Sequence, residues 1–220
     1  MVNDFWPPII LSLKVASISS GISLLFGVIL GRILADKNFK GKMILETFLL
    51  MPIVLPPTVI GFLLIFFFGR NSPIGSFVEN FFETSIIFTP LAAVIASTVV
   101  AFPLMYQTVK TGFQSVNKDI EEAARVDGAT ELNVFLHVTL PLSFKSIITG
   151  LILSFARALG EFGATLMFAG NIPGKTQTAP TAIYIAMETG NLKLAWLLVG
   201  AMVFISFLML FTTTIAQSKP

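Results

Sequence analysis

Glu122-Ala-Ala-Arg-Val-Asp-Gly128, running on to Leu140-Pro141, is the stretch whose reading decides the fold. It lies in the longest polar interruption of an otherwise apolar sequence, and its pattern predicts two short helices on a surface. Asn117 can cap the first, with Asp119, Glu121 and Glu122 in the first turn, where the positive end of the helix dipole favours acids. Ile120, Ala123 and Ala124 share one face, and Gly128 supplies the left-handed residue that ends the helix. Thr130 caps a second helix whose apolar stripe is Leu132, Phe135 and Leu136 and which stops before Pro141. The first helix therefore offers a small, smooth face flanked by charges, a shape suited to another protein's groove. The plainer alternative is a solvated connector between two membrane helices.

Around this stretch the chain is built for lipid. Of its 220 residues 55% are hydrophobic and 12% charged, and the mean hydropathy is +0.86. These values exclude an ordinary soluble globule. The length suits one all-α domain over residues 1–220, with no separate soluble domain. Five segments, near 9–34, 47–68, 88–108, 146–168 and 195–215, are long and apolar enough to cross a hydrocarbon core, which takes about 20 residues. The connection at 110–145 carries the opening stretch.

Five crossings put the termini on opposite sides, and the basic residues decide which. With the N-terminus outside, the inner segments hold nine basic residues: Arg32, Lys37, Lys40, Lys42, Lys110, Lys118, Arg125, Lys145 and Lys219. Only Arg70, Lys175 and Lys193 lie outside, while Lys14 and Arg157 fall within spans. The expected orientation is N-terminus out, C-terminus and the Glu122 loop in the cytoplasm. The first span is expected to be retained rather than removed as a signal peptide.

Individual spans carry further signals. Lys14 either snorkels outward along its own stem or faces an anion path. Ser23, Gly27 and Gly31, four residues apart, predict close helix packing. Pro52, Pro56 and Pro57 bend the second span, which must then be interior and suits a gate. Pro90 and Pro103 bracket the third, where Ser97 and Thr98 either line a pore or bond back to their own helix. In the fourth, Gly150, Ser154 and Ala158 form one small stripe, and Ala156, Gly160 and Ala164 a second. Arg157 and Glu161, four apart, can face each other. They are either a neutralised pair that pins helix packing, or a positive element of an anion path oriented by its partner. Trp6 and Trp196 suit the outer interface. The uncharged last span, with Thr212, Thr213 and Thr214 at its inner end, is assigned to lipid or dimer contact.

Other chemistry finds little to build on. Ala169 through Thr176 nearly matches a P-loop, but no strand precedes it and it lies outside, so it reads as an outer turn. Ala182 to Met187 is expected as a short interfacial or re-entrant helix with Tyr184 at headgroup depth. His137 stands alone and cysteine is absent, which leaves no expected metal site. Neither a catalytic group nor a nucleic-acid patch is apparent.

The spacing Glu-Ala-Ala, three residues, Gly128, nine residues, Val138, one residue, Leu140-Pro141 resembles the signature loop of ABC importer permeases, with Val138 in place of the usual Ile. The resemblance implies the type I importer permease fold. It also implies that Glu122, Ala123, Ala124, Asp127, Gly128, Leu140 and Pro141 form a coupling element that docks on a cytoplasmic ATPase. A second run, Phe155-Ala-Arg-Ala-Leu-Gly-Glu-Phe-Gly-Ala-Thr165 continued by Phe168-Ala-Gly-Asn-Ile-Pro-Gly-Lys-Thr-Gln-Thr178, Pro180 and Ile183-Tyr184, is similar to molybdate permeases. Sulfate permeases share its core, and tungstate permeases are more distant. The implied assembly is a homodimer with two ATPase subunits and an extracytoplasmic binding protein, working by alternating access. ATP is used by the partner, and no cofactor is expected in this chain. Arg157, Glu161, Lys14, Pro56 and Pro57 are the candidate pathway or gate residues. The rival classes are an ion-coupled anion carrier, for which matching broken helices in two halves are not evident, and a purely structural anchor.

Overall fold

The computed structural model describes residues 2–70, 72–82 and 85–218. Lys219, counted above with the inner charges, lies outside them. Among the described residues the regular structure is helical: α1 (Val2–Asp36), α2 (Lys42–Val54), α3 (Pro57–Phe68), α4 (Pro73–Phe82), α5 (Pro90–Gln114), α6 (Lys118–Val126) and α7 (Glu131–Val134). A π-helical turn at Phe135–Thr139 leads into α8 (Leu140–Leu142), followed by α9 (Phe144–Leu159), α10 (Gly163–Ala169), α11 (Ala179–Glu188) and α12 (Leu192–Ser218).

α5 is the axis of the bundle, because small residues let its neighbours approach. Ala92, Ala93, Ala96 and Ala101 are fully buried along it. α1 lies parallel to α5: the Ser19 hydroxyl donates to the Val94 carbonyl at 3.0 Å, and the Gln114 amide donates to the Ala35 carbonyl at 3.3 Å. Between those ends a Cβ at Gly27 would stand 2.8 Å from Met105, and one at Gly31 would stand 3.2 Å from Val109. The small stripe of the first span is therefore a packing face. On the other side α9 runs antiparallel, with Gly150 against Met105 and Thr108, and the Ser143 hydroxyl donating to the Gly112 carbonyl at 3.1 Å.

Among the described residues three helices are long and apolar enough to cross a membrane, over residues 4–36, 90–114 and 192–211, and the count reaches five if two bent pairs, α2 with α3 and α7–α8 with α9, are each one span. The expected second span is broken into α2 and α3, whose axes differ by 118°. The cause is Pro56-Pro57, which leaves Leu55 and Pro56 extended and puts Pro57 in the first turn of α3. Far from being interior, α2 buries no residue within this chain, and Val54 is 85% exposed. The expected fourth span is also broken, at 160–162 between α9 and α10. The third extends beyond its expected end at 108, since α5 continues to Gln114, with Pro103 buried inside it. Thr98 bonds back to the Val94 carbonyl at 2.7 Å, while the buried Ser97 hydroxyl lacks a partner.

Matching broken helices, not evident in the sequence, are thus present. They do not form an inverted repeat, because their second halves, α3 and α10, are parallel: Gly163 faces Pro57, Gly61 faces Ala164, and the rings of Phe68 and Phe168 lie 5.9 Å apart. Residues 169–176 close on themselves. The amides of Lys175, Thr176 and Gln177 all donate to the Ile172 carbonyl, so they cannot cradle a phosphate. The expected helix at 182–187 is longer, and its Ala179, Thr181, Ala182 and Ala186 are buried. The Ala179 amide donates to the Ser12 hydroxyl of α1 at 2.7 Å, so this helix is clamped in the bundle.

These contacts gather residues 36–42 and 114–145 at one end of the bundle and residues 69–70, 72–82, 85–90 and 169–193 at the other. Gly27→Val should separate α1 from α5 and cost about 1–3 kcal/mol by overpacking. Gly200→Ala, with open space around its Cβ position, should leave the unfolding temperature of the detergent-solubilised protein unchanged. Equal unfolding temperatures for the two variants would contradict the packing role of Gly27.

Candidate functional site

The polar loop folds largely as its local signals dictate. The Asn117 side chain accepts from the Asp119 amide at 3.0 Å and starts α6. α6 ends at Gly128, where φ is 88°. There the Ala129 amide bonds to the Ala124 carbonyl and the Gly128 amide to the Arg125 carbonyl, a pattern that satisfies the last carbonyls of a helix. Thr130 accepts from the Asn133 amide at 3.4 Å and starts α7.

The second helix does not stop before Pro141. It widens into the π turn, in which the Leu140 amide reaches back to the Phe135 carbonyl, and continues through Pro141 to Leu142. A proline has no amide hydrogen, and its ring crowds the carbonyl four residues back; the wide turn directly before it accommodates both. The buried face also differs from the predicted stripe. Val134 and Thr139 are fully buried, whereas Leu132 is 65% exposed and Leu136 is exposed. Phe135 alone of the stripe packs inward, edge-on to Phe113.

Of the predicted coupling residues, Glu122, Ala123, Asp127, Gly128 and Pro141 are exposed and Ala124 is half-buried. Leu140 instead packs with Met105, Val109, Phe113 and Ile147, so it holds the loop to the bundle. The exposed apolar groups beside the motif are Ile120, Val126 and Leu132. Together with Ala123 they give this end of the protein an apolar surface bordered by Glu122, Asp119 and Asp127.

Five residues that fasten this surface are not in the predicted set: Glu121, Arg32, Arg125, Glu131 and Thr139. Glu121 is 6% exposed and accepts a hydrogen bond from the Thr139 hydroxyl. Its carboxylate lies 3.6 Å from Arg32 of α1 and 3.8 Å from Arg125. Arg125 in turn donates to Glu131 at 2.7 and 3.2 Å, across the turn that joins α6 to α7. That bond holds the Glu131 carboxyl below its usual range. Its contribution is therefore present at neutral pH and lost only as acid protonates Glu131; the pair is exposed, and its worth is small. The i, i+4 spacing of Glu121 and Arg125 was the one sequence signal for this network.

The pathway candidates divide. Arg157 and Glu161 do pair, at 2.7 Å. Glu161 is 2% exposed and sits in the break between α9 and α10, where its other oxygen accepts from the Ala164 amide at 2.8 Å. It both neutralises Arg157 and caps α10. Pro57 lies against Gly163, so the two breaks meet. Pro56 is on the exposed elbow. Lys14 is exposed on the α1 stripe of Ile10, Ile18 and Leu25. α9 meets α1 through Phe155, which lines a groove with Ser17 and Gly21. Arg157, two residues on, points to the opposite side of α9, so the structure does not bring it together with Lys14.

The family described as binding-protein-dependent transport system inner membrane component matches residues 23–219. The chain belongs to this family. Among relatives of this permease, the "Putative molybdenum transport system permease protein YvgM" of Bacillus subtilis (strain 168) is 55% identical over 209 residues, 95% of this chain and 92% of the relative. The molybdenum transport system permease protein ModB of Escherichia coli (strain K12) is 42% identical over 189 residues, 86% of this chain and 82% of the relative. An inward-facing structure of the MetNI methionine ABC transporter superposes with a TM-score of 0.72 at 17% identity, covering 98% of this chain and 94% of that one. The fold is that of a type I ABC importer permease.

Truncating Arg157 leaves the Glu161 carboxylate buried and unpaired. Breaking a buried pair costs roughly 3–5 kcal/mol, and the partial exposure of Arg157 reduces this to about 2 kcal/mol. Arg157→Ala should therefore lower the unfolding temperature of the solubilised permease clearly more than Lys14→Ala. Equal, mild effects would show that Arg157 pins nothing.

Proposed function

We propose that this permease is the membrane-spanning subunit of an ATP-driven importer that carries molybdate across the cytoplasmic membrane by alternating access. The observation that carries the reading is the α6–α8 loop: an apolar docking surface held rigidly at the basic end of the bundle. That end gathers Arg32, Lys37, Lys40, Lys42, Lys110, Lys118, Arg125 and Lys145, and the positive-inside rule puts it in the cytoplasm. The N-terminus is then outside and the C-terminus inside. An ATPase subunit docks on the loop, with Glu122, Ala123, Ala124, Asp127 and Gly128 forming the contact and Leu140 and Pro141 shaping its support. ATP is bound and hydrolysed by that partner.

Two copies of the chain pair around the path. Breaking α2 from α3 frees backbone carbonyls, which in lipid must be covered by protein or water. α2 buries nothing within its own chain, and a second copy provides the cover. An extracytoplasmic binding protein delivers the oxyanion to the opposite end. The cargo assignment is supported by the identity with molybdenum permeases over most of both chains. The pathway needs only weak attraction, because selectivity is set before the anion enters. Arg157, neutralised by Glu161 yet partly exposed, supplies such attraction beside the paired helix breaks.

The test is reconstitution with the ATPase and binding protein in sealed vesicles. Molybdate uptake should require ATP, and Gly128→Val or Ala124→Arg should lower it about tenfold while ATP hydrolysis persists, in line with a coupling of 1–3 kcal/mol. Uptake driven by an ion gradient without any ATPase would overturn the reading.

A further inference from the structure

α6 is held in place without a hydrophobic anchor. Among its nine residues Glu121 is the buried one, whereas Ile120 is 47% and Val126 87% exposed. A helix this short is marginal on its own, so its position depends on tertiary contacts. Those contacts converge on one carboxylate. The Thr139 hydroxyl, fully buried in the π turn, donates to Glu121 Oε1. Arg32, in the last turns of α1, faces the same oxygen at 3.6 Å. Arg32 is itself fixed by Asp36 at 2.6 Å and by the Phe135 ring, whose centroid is 5.5 Å from the guanidinium carbon. The ring rests on Phe113 of α5.

We propose that Glu121 is a positioning residue that makes α6 and the inner end of α1 one mechanical unit. This proposal rests on the reading of the loop as the ATPase dock. A force applied at α6 then reaches the membrane first through Arg32 and α1, and through the α1–α5 packing at Gly31 and Gly27, rather than through the 69° bend that separates α8 from α9. The adjacent Glu122 points outward and meets the partner; Glu121 points inward and passes the displacement on. The π turn serves this arrangement: Pro141 favours the wide turn, and that turn holds Thr139 against Glu121.

The test uses the complete transporter in sealed vesicles and reads molybdate taken up per ATP hydrolysed. Glu121→Gln keeps an acceptor for Thr139 but removes the charge that faces Arg32. It should lower that ratio about tenfold, while the subunits still copurify. Arg32→Gln breaks the same contact from the other side, so the double variant should lose little more than Glu121→Gln alone. A purely structural role would reduce complex yield and both activities together, with the ratio unchanged. An unchanged ratio in Glu121→Gln, or a double variant with simply additive losses, overturns the proposal. The wild-type vesicles keep the two levels apart, since absence of ATP-dependent uptake there would sink the importer reading itself. A second measurement does not depend on activity. The chain has no native cysteine, so spin labels at Ile33→Cys on α1 and Lys118→Cys on α6, both exposed and outside the Glu121 contacts, report the distance between the two helices. It should hold through the nucleotide cycle and broaden in Glu121→Gln. A shift of that distance on nucleotide binding in the otherwise native transporter would equally overturn the proposal.

Discussion

Lipid tails solvate apolar side chains as well as a protein interior does, so membrane helices associate where their backbones pack closely. In this permease that constraint is met around α5. Gly27 and Gly31 bring α1 against one side of it, while Gly150 of α9 and Gly112 of α5 itself close the other. The alanines on α5 are flat enough to let both neighbours in. Everything else is placed by this frame. α3 and α10 lean on it as a parallel pair, α11 is clamped to α1 through Ser12, and the polar loop hangs from the C-terminal ends of α1 and α5 through Leu140, Phe135 and Arg32.

Against this rigid frame the two broken spans are the places where backbone order is given up. Their causes differ. The α2–α3 elbow comes from two consecutive prolines, a covalent restriction that no packing can remove. The α9–α10 break is held open by Glu161, whose carboxylate caps α10 while pairing with Arg157. A helix end in lipid needs its amides satisfied, and a buried carboxylate does this at a helix N-terminus, where its charge is also favoured. The breaks meet at Pro57 and Gly163, so a movement of either α3 or α10 is felt by the other.

How legible this was in the sequence follows from the range of the forces involved. Asn117, Thr130 and Gly128 were readable because caps act on amides or carbonyls a few residues away. The pairing of Arg157 with Glu161 was readable from spacing alone. The break at 160–162 was not, because the stripe of Ala156, Gly160 and Ala164 keeps helical register straight through it. The elbow was anticipated as a bend, but its exposure on the single chain was not, since burial there depends on what lies beyond the chain. Glu121 looked like one more acid in a first turn, and its burial depends on Arg32 and on a π turn 18 residues later. Of the stripe Leu132, Phe135, Leu136 only Phe135 faces inward, beside Val134, and the π turn then shifts the helical phase so that Thr139 follows them.

The central claim is that the α6–α8 loop lies in the cytoplasm and is covered by an ATPase. Val126 is 87% exposed on that loop, and the native chain offers no other thiol. Labelling of Val126→Cys by a membrane-impermeant maleimide, in sealed vesicles of both orientations and with and without the ATPase subunit, measures this directly. The account predicts modification from the cytoplasmic face alone and protection when the ATPase is bound. Modification from the external face, or labelling indifferent to the bound ATPase, would contradict it.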